Sequence, residues 1–210
     1  MKISSGIKES GVVVGNNFDK YNSKNPVVRY LMDGFHNALT ELVNLSAPTT
    51  LHEVGCGEGI LTIDWCNQGL EARGSDFSEK VISIARDNAV DSGMSGNMFS
   101  VKDIYTLQAP QDCADLLVCC EVLEHIDDPK KALQVLQEIV TRHLILSVPR
   151  EPIWRTLNMM RGKYLRDFGN TPGHIQHWST SNFKKMVQTY FVIEQVRTPL
   201  PWTMLLCRPR

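Results

Sequence analysis

The stretch Leu51-His52-Glu53-Val54-Gly55-Cys56-Gly57-Glu58-Gly59-Ile60-Leu61-Thr62 decides the fold. It reads as a strand, a turn carrying three glycines, and the opening of a helix. Glycine lacks Cβ, so it accepts positive φ and lets a ligand come close to the main chain. The spacing narrows the ligand. A dinucleotide fingerprint places glycines at the first, third and sixth positions of the loop, whereas here Ile60 fills the sixth position and the last glycine comes early, at Gly59. An acid, Glu53, precedes the loop, so the pattern is acid-x-Gly-x-Gly-x-Gly at a strand end.

On either side of this stretch, apolar runs and helical periodicity alternate along the chain. Strands are expected at Thr50 to Val54, Glu71 to Ser75, Met98 to Val101, Asp115 to Cys120, Leu144 to Val148, Phe191 to Arg197 and Met204 to Arg208. Helices are expected at Ile60 to Gln68, Ser78 to Ser92 and Pro129 to Thr141. Pro26 starts a further helix, in which Val27, Tyr30, Leu31, Phe35, Ala38, Leu39 and Leu42 recur at three and four and mark a buried face. The first 25 residues are polar and rich in turn formers, and read as a loose arm or lid. Alternation of this kind argues an α/β fold: a Rossmann-like, mostly parallel sheet of seven strands with helices on both faces. The link Thr198 to Thr203 is too short for a parallel crossover, so the last strand is expected to run antiparallel.

Length and composition bound the possibilities. The 210 residues suit one domain with a sizeable core. Net charge is −1, so no overall positive field draws nucleic acid or an anionic membrane, although a local patch stays open. Six cysteines without a CxxC pair read as reduced thiols of a cytoplasmic protein. No signal-like segment opens the chain and no apolar run reaches membrane length. A monomer and a homodimer are equally compatible with the sequence.

Ligands of doubly wound sheets bind at the carboxyl ends of the strands, and those ends are acidic here. Asp76, in Arg73-Gly74-Ser75-Asp76-Phe77-Ser78, lies where a carboxylate accepts from ribose hydroxyls. The competing role is a helix cap, for which Ser78 is better placed. Asp103 follows the third strand in Val101-Lys102-Asp103-Ile104, where an acid also serves ordinary turns. The fourth strand delivers Glu121-Val122-Leu123-Glu124-His125-Ile126. If that segment turns helical, residues 121, 124 and 125 share a face.

The glycine loop with its leading acid resembles the first motif of class I S-adenosylmethionine (SAM) dependent methyltransferases. The Glu-Val-Leu-Glu-His-Ile string resembles their ubiquinone and menaquinone branch, and the likeness runs from about Thr50 to the end of the chain. The resemblance implies a SAM-binding domain, with S-adenosylhomocysteine as product, acting on a small-molecule methyl acceptor, most readily at oxygen of an apolar or aromatic metabolite. It implies a cofactor site made of Glu53, Gly55, Cys56, Gly57, Gly59, Asp76, Phe77, Asp103, Ile104 and Glu121. There Asp103 and the amide of Ile104 would face adenine, and Tyr21 would close from the arm. Residues 1–46 would form the lid, and residues 150–180, with Trp154, Trp178 and a set of arginines, the acceptor pocket. The same apolar residues also fit a helix packed on the sheet.

Two chemical readings of the acid and imidazole group stay open. In one, His125, aided by His174 or His177, removes a proton from the acceptor. In the other, Glu121, Glu124, His125 and His174 hold a divalent metal, as a similar grouping does in metal-dependent small-RNA 2′-O-methyltransferases. A third reading, a SAM-binding partner subunit without catalysis, is disfavoured by the intact motifs.

Overall fold

The computed structural model describes residues 1–9, 12–16 and 23–210. Its centre is a seven-stranded sheet built from β3 (Thr50–Val54), β4 (Glu71–Asp76), β5 (Phe99–Val101), β6 (Ala114–Cys120), β7 (Val140–Pro149), β8 (Phe191–Arg197) and β9 (Trp202–Pro209), in the order β5-β4-β3-β6-β7-β9-β8. The first five of these strands run parallel, and β9 pairs antiparallel with both β7 and β8. The reversal expected at the last strand is therefore present, and the last strand lies inside the sheet, with β8 at the edge. A small antiparallel pair, β1 (Lys8–Glu9) and β2 (Val12–Val13), precedes it.

Side-chain alternation along the strands feeds two cores. In β6, Leu116 and Val118 join Leu51, Ile145 and Met204 beneath α1 (Pro26–Ser46) and α2 (Ile60–Asn67). On the other face Leu117 and Cys119 join Leu144, Leu146 and Leu205 beneath α4 (Pro129–Ile139) and α6 (Thr180–Val187). A third cluster packs α3 (Glu79–Asp91) over Phe99 and Cys56. Each fully buried Leu or Phe contributes about 1.5–3 kcal/mol, and these interior strands are apolar on both sides, as parallel strands under two helical layers must be.

The helix ends follow capping chemistry. The Asn25 side chain accepts from Val27 and Val28, with Pro26 in the first turn, and Asp128 accepts from Lys131 ahead of α4. The buried stripe of α1 begins at Met32 and continues through Phe35, Leu39 and Leu42, whereas Val27 and Tyr30 face solvent. Their place in the expected apolar face is corrected: Val28 and Leu31, partly buried against the core, take the inward side of these turns. The N-terminal arm is not loose over its described residues, because Ser4 and Val14 are buried. Among the described residues no helix is long and apolar enough to cross a membrane.

Candidate active site

The glycine loop sits between β3 and α2, and its amides are drawn to the neighbouring strand. Gly55 and Cys56 donate to the Ser75 carbonyl at 2.7 and 3.0 Å, and Gly57 donates to Asp76 Oδ2 at 3.1 Å. All three loop glycines have positive φ, but they differ in what surrounds them. A Cβ at Gly55 would meet Val122 and one at Gly59 would meet Phe99, both under 2.5 Å, while a Cβ at Gly57 would meet nothing within 4 Å. Two glycines are thus demanded by packing, and the third leaves an open face of backbone.

Three carboxylates surround this loop. Glu53 is buried and accepts from the Thr62 amide at 3.1 Å and from the Thr62 hydroxyl, which ties the end of β3 to the start of α2. Burial raises its carboxyl to about 8, against the two bonds from Thr62 that lower it. Asp76 accepts from Ser78 N at 3.0 Å as well as from Gly57, and burial also raises it. Ser78 caps α3 by accepting from Val81, and its hydroxyl also donates to Glu9. Glu58 accepts from Ser4 N, Asn16 N and Asn16 Nδ2 at 2.9, 2.7 and 2.5 Å. Burial would raise Glu58, but these donors prevail and hold it below the ordinary value. The arm is therefore latched to the glycine loop, a role for Glu58 that the sequence reading missed. No local pattern signals it, since the partners lie 42 and 54 residues away.

Of the other expected cofactor residues, Phe77 is 55 % exposed and Ile104 is buried. Asp103 is exposed and its side chain accepts from Tyr105 N at 2.9 Å, capping a short turn. Cys56 is buried beside the loop, which pushes its thiol up. Tyr21 lies outside the described residues.

The segment beyond β6 departs from the expected helix. Glu121 has φ 58, and a single turn of 3-10 helix follows at Leu123–His125. The carboxylate of Glu121 accepts from Ser147 Oγ at 3.0 Å and from Trp202 Nε1 at 2.7 Å. The acid and imidazole atoms that converge belong to Glu124, His125 and His174, all within 4.8 Å of one another; Glu121 is not among them. The shared face of residues 121, 124 and 125 is thus replaced by a turn, because Glu121, with positive φ, stands outside the short right-handed turn that follows it.

The imidazoles are oriented by their surroundings. His125 Nδ1 lies 2.9 Å from the Gly173 carbonyl, so Nδ1 carries a proton, and Nε2 lies 4.0 Å from Glu124 Oε1. His174 is buried with its ring 4.8 Å from His125 and 5.6 Å from Trp154. Burial, then the neighbouring histidines, lower it to about 3, so it is neutral. His177 turns elsewhere: its Nε2 lies 3.3 Å from Arg155 Nη2 and 2.7 Å from Asn170 Oδ1.

Comparison with known proteins places the fold. Residues 52–143 match the family described as a methyltransferase domain. The ubiquinone biosynthesis O-methyltransferase of Pectobacterium carotovorum subsp. carotovorum is 32% identical over 88 residues, which is 42% of this chain and 37% of that protein. The protein of the same name from Bordetella avium is 34% identical over 90 residues, 42% of this chain and 36% of that one. The chain thus spans little more than a third of the length of these curated relatives. Over nearly its whole length it superposes on magnesium protoporphyrin IX methyltransferase from Synechocystis PCC 6803, solved with bound S-adenosylhomocysteine. That match has a TM-score of 0.69 at 21% identity and covers 92% of this chain and 94% of the other. An N-methyltransferase from Bradyrhizobium japonicum WM9, also bound to S-adenosylhomocysteine, gives 0.61 at 17% identity, covering 89% of each chain. The glycine loop thus lies inside the segment that matches the methyltransferase domain, and the chain shares its fold with these methyltransferase structures.

Proposed function

We propose that this chain is a SAM-dependent methyltransferase that methylates an oxygen of a small apolar or aromatic acceptor in a reducing, cytoplasmic setting. The carrying observation is the open backbone face at Gly57, whose amide is held by Asp76, in a loop whose two ends are tied together through Glu53 and Thr62. Bound SAM would supply a methyl group already activated on a sulfonium. Residues Gly55 to Gly59 and Glu53 would seat the methionine part, Asp76 the ribose, and Asp103 with Ile104 the adenine, while Phe77 and Tyr21 would cover it. Residues 1–46 act as the lid and residues 150–180 frame the acceptor. His125 takes the proton of the acceptor hydroxyl at Nε2, the ring atom on the far side from its bond to Gly173. Neutral His174, edge-on to His125 and tilted against Trp154, positions that ring. All six cysteines are free thiols, which supports the reducing compartment.

Titration calorimetry tests the cofactor reading. Asp76→Ala should weaken SAM binding about tenfold or more, since a hydrogen bond involving a charged group contributes about 1.5–3 kcal/mol. Unchanged affinity would remove Asp76 from the ribose role. His125→Ala should retain SAM affinity and lose turnover.

The grouping of Glu124, His125 and His174 favours a second reading. One carboxylate and two imidazoles, one of them held neutral, fit a divalent ion such as magnesium, manganese or zinc. A metal there would act as a Lewis acid on the acceptor hydroxyl. Metal analysis of the purified protein, with activity before and after chelation, separates the two. Metal-free protein that stays active, together with an active Glu124→Ala variant, would exclude the metal. An RNA acceptor is disfavoured by the net charge of −1.

A further inference from the structure

The segment after β7 carries large apolar side chains that the fold keeps in solvent. α5 (Ile153–Met160) ends in Met160, which is 78 % exposed, and the loop beyond it presents Leu165 at 59 % and Phe168 at 77 %. Interleaved with them are Arg161, Lys163 and Arg166, all exposed, against one acid, Asp167. The surface is thus apolar and basic at once, within a chain whose net charge is −1.

This exposure is built into the loop. Asn158, itself buried, donates to the Gly169 carbonyl at 2.9 Å and to Thr171 Oγ1 at 3.1 Å, and its carbonyl accepts from Lys163 N at 2.9 Å. Thr171 Oγ1 also accepts from the Trp154 indole at 2.8 Å. Gly169 closes the loop against α5, where a Cβ would lie 2.2 Å from the Arg155 carbonyl. Tyr164 and Phe168 both have left-handed φ, 55 and 48, a conformation unfavourable for residues with a Cβ. A loop free to relax would turn its Leu and Phe inward. This one is fastened with them pointing out, and exposed apolar patches of this kind mark interaction surfaces.

Charge decides among the occupants. A second copy docking on the same face would bring like charges together. A surface that is anionic at its rim and apolar beneath complements it, with Met160, Leu165 and Phe168 entering the apolar layer and the basic side chains meeting anionic groups. We propose that this face docks peripherally on an anionic phospholipid bilayer. Residues 153–175 lie outside the segment 52–143 matched to the methyltransferase domain, so the proposal stands on this chain's own residues.

Flotation of the full chain tests it, using vesicles of phosphatidylcholine alone and vesicles with roughly one third phosphatidylglycerol. Binding is expected to the anionic vesicles, at least about tenfold weaker to the neutral ones, and to fall with salt. Met160→Ser with Phe168→Ser, and separately Lys163→Gln with Arg166→Gln, should each lower partitioning about tenfold or more. Lys184→Gln with Lys185→Gln, basic residues on α6, should leave it unchanged. Thermal midpoints of all variants confirm that they fold. The proposal is overturned if the wild type fails to float, if the patch variants float as the wild type does, or if the α6 control loses as much. It is equally overturned if the apolar variants only turn a dimer into a monomer in light scattering. Failure to float combined with binding of an acidic, leucine-containing peptide would give the face to a protein partner instead. SAM binding by the patch variants is expected to be unchanged, which keeps this result separate from the cofactor reading.

Discussion

The three loop glycines divide their work. Gly59 has φ 76 and a hypothetical Cβ 2.4 Å from Phe99, whereas Gly57 has φ 55 and open space. Gly59→Ala should therefore lower stability by about 1–3 kcal/mol through backbone strain and overpacking. Gly57→Ala should cost only about 1–2 kcal/mol, the penalty of a left-handed residue, and should weaken SAM binding out of proportion to its thermal midpoint. Melting and calorimetry on the two variants check this, and equal binding losses at equal stability would deny the loop an open face. At this scale the residue types were legible and their partners were not. Ser78 reads as a cap from its position alone, and it caps α3. Sequence could not show that Asp76 is engaged by Gly57 and Ser78, because the bond to Gly57 joins residues 19 apart through a strand pairing.

At the level of elements, apolar runs and caps marked most boundaries to within a residue or two, since those signals are local. β7 was the exception: it begins at Val140, directly where α4 ends, four residues before the expected Leu144. α6 escaped notice although Ser179 caps it and Phe183 and Val187 are buried one turn apart. Eight residues give too short a period to stand out. The turn at Glu121 was hidden for a different reason. Its left-handed backbone is held by the Ser147 carbonyl and its side chain by Ser147 and Trp202, both remote in sequence. A prediction belongs to the α3 cap. Ser78→Ala should cost about 1 kcal/mol and, because the hydroxyl also holds Glu9, should speed amide exchange in the described part of the arm. Asn25→Ala removes a cap of similar worth from α1 and should leave that exchange unchanged.

Across the whole molecule, two buried groups at β3 set opposite limits on pH. Burial raises Glu53 from 4.5 to about 8, so the unfolded chain releases a proton that the folded one keeps. The stability tied to this group is present below about 4.5 and is lost as pH rises through about 8. His52, its ring atoms 3.0 Å from the Asp112 carbonyl and 2.8 Å from Ser75 Oγ, is lowered from 6.5 to about 4, chiefly by burial. Its contribution is present above about 6.5 and is lost as pH falls through about 4. The thermal midpoint of the ligand-free protein should decline on both sides, and Glu53→Gln should flatten the alkaline side alone. A last consequence concerns time. β9 lies between β7 and β8, yet it is the last of these strands in the chain. During synthesis β8 leaves the ribosome before β9 and has no strand to join until residues 202–209 follow. Its edge stays unpaired for that interval, and a chain interrupted after residue 197 would leave β7 with its outer edge bare, a ready template for association with other chains.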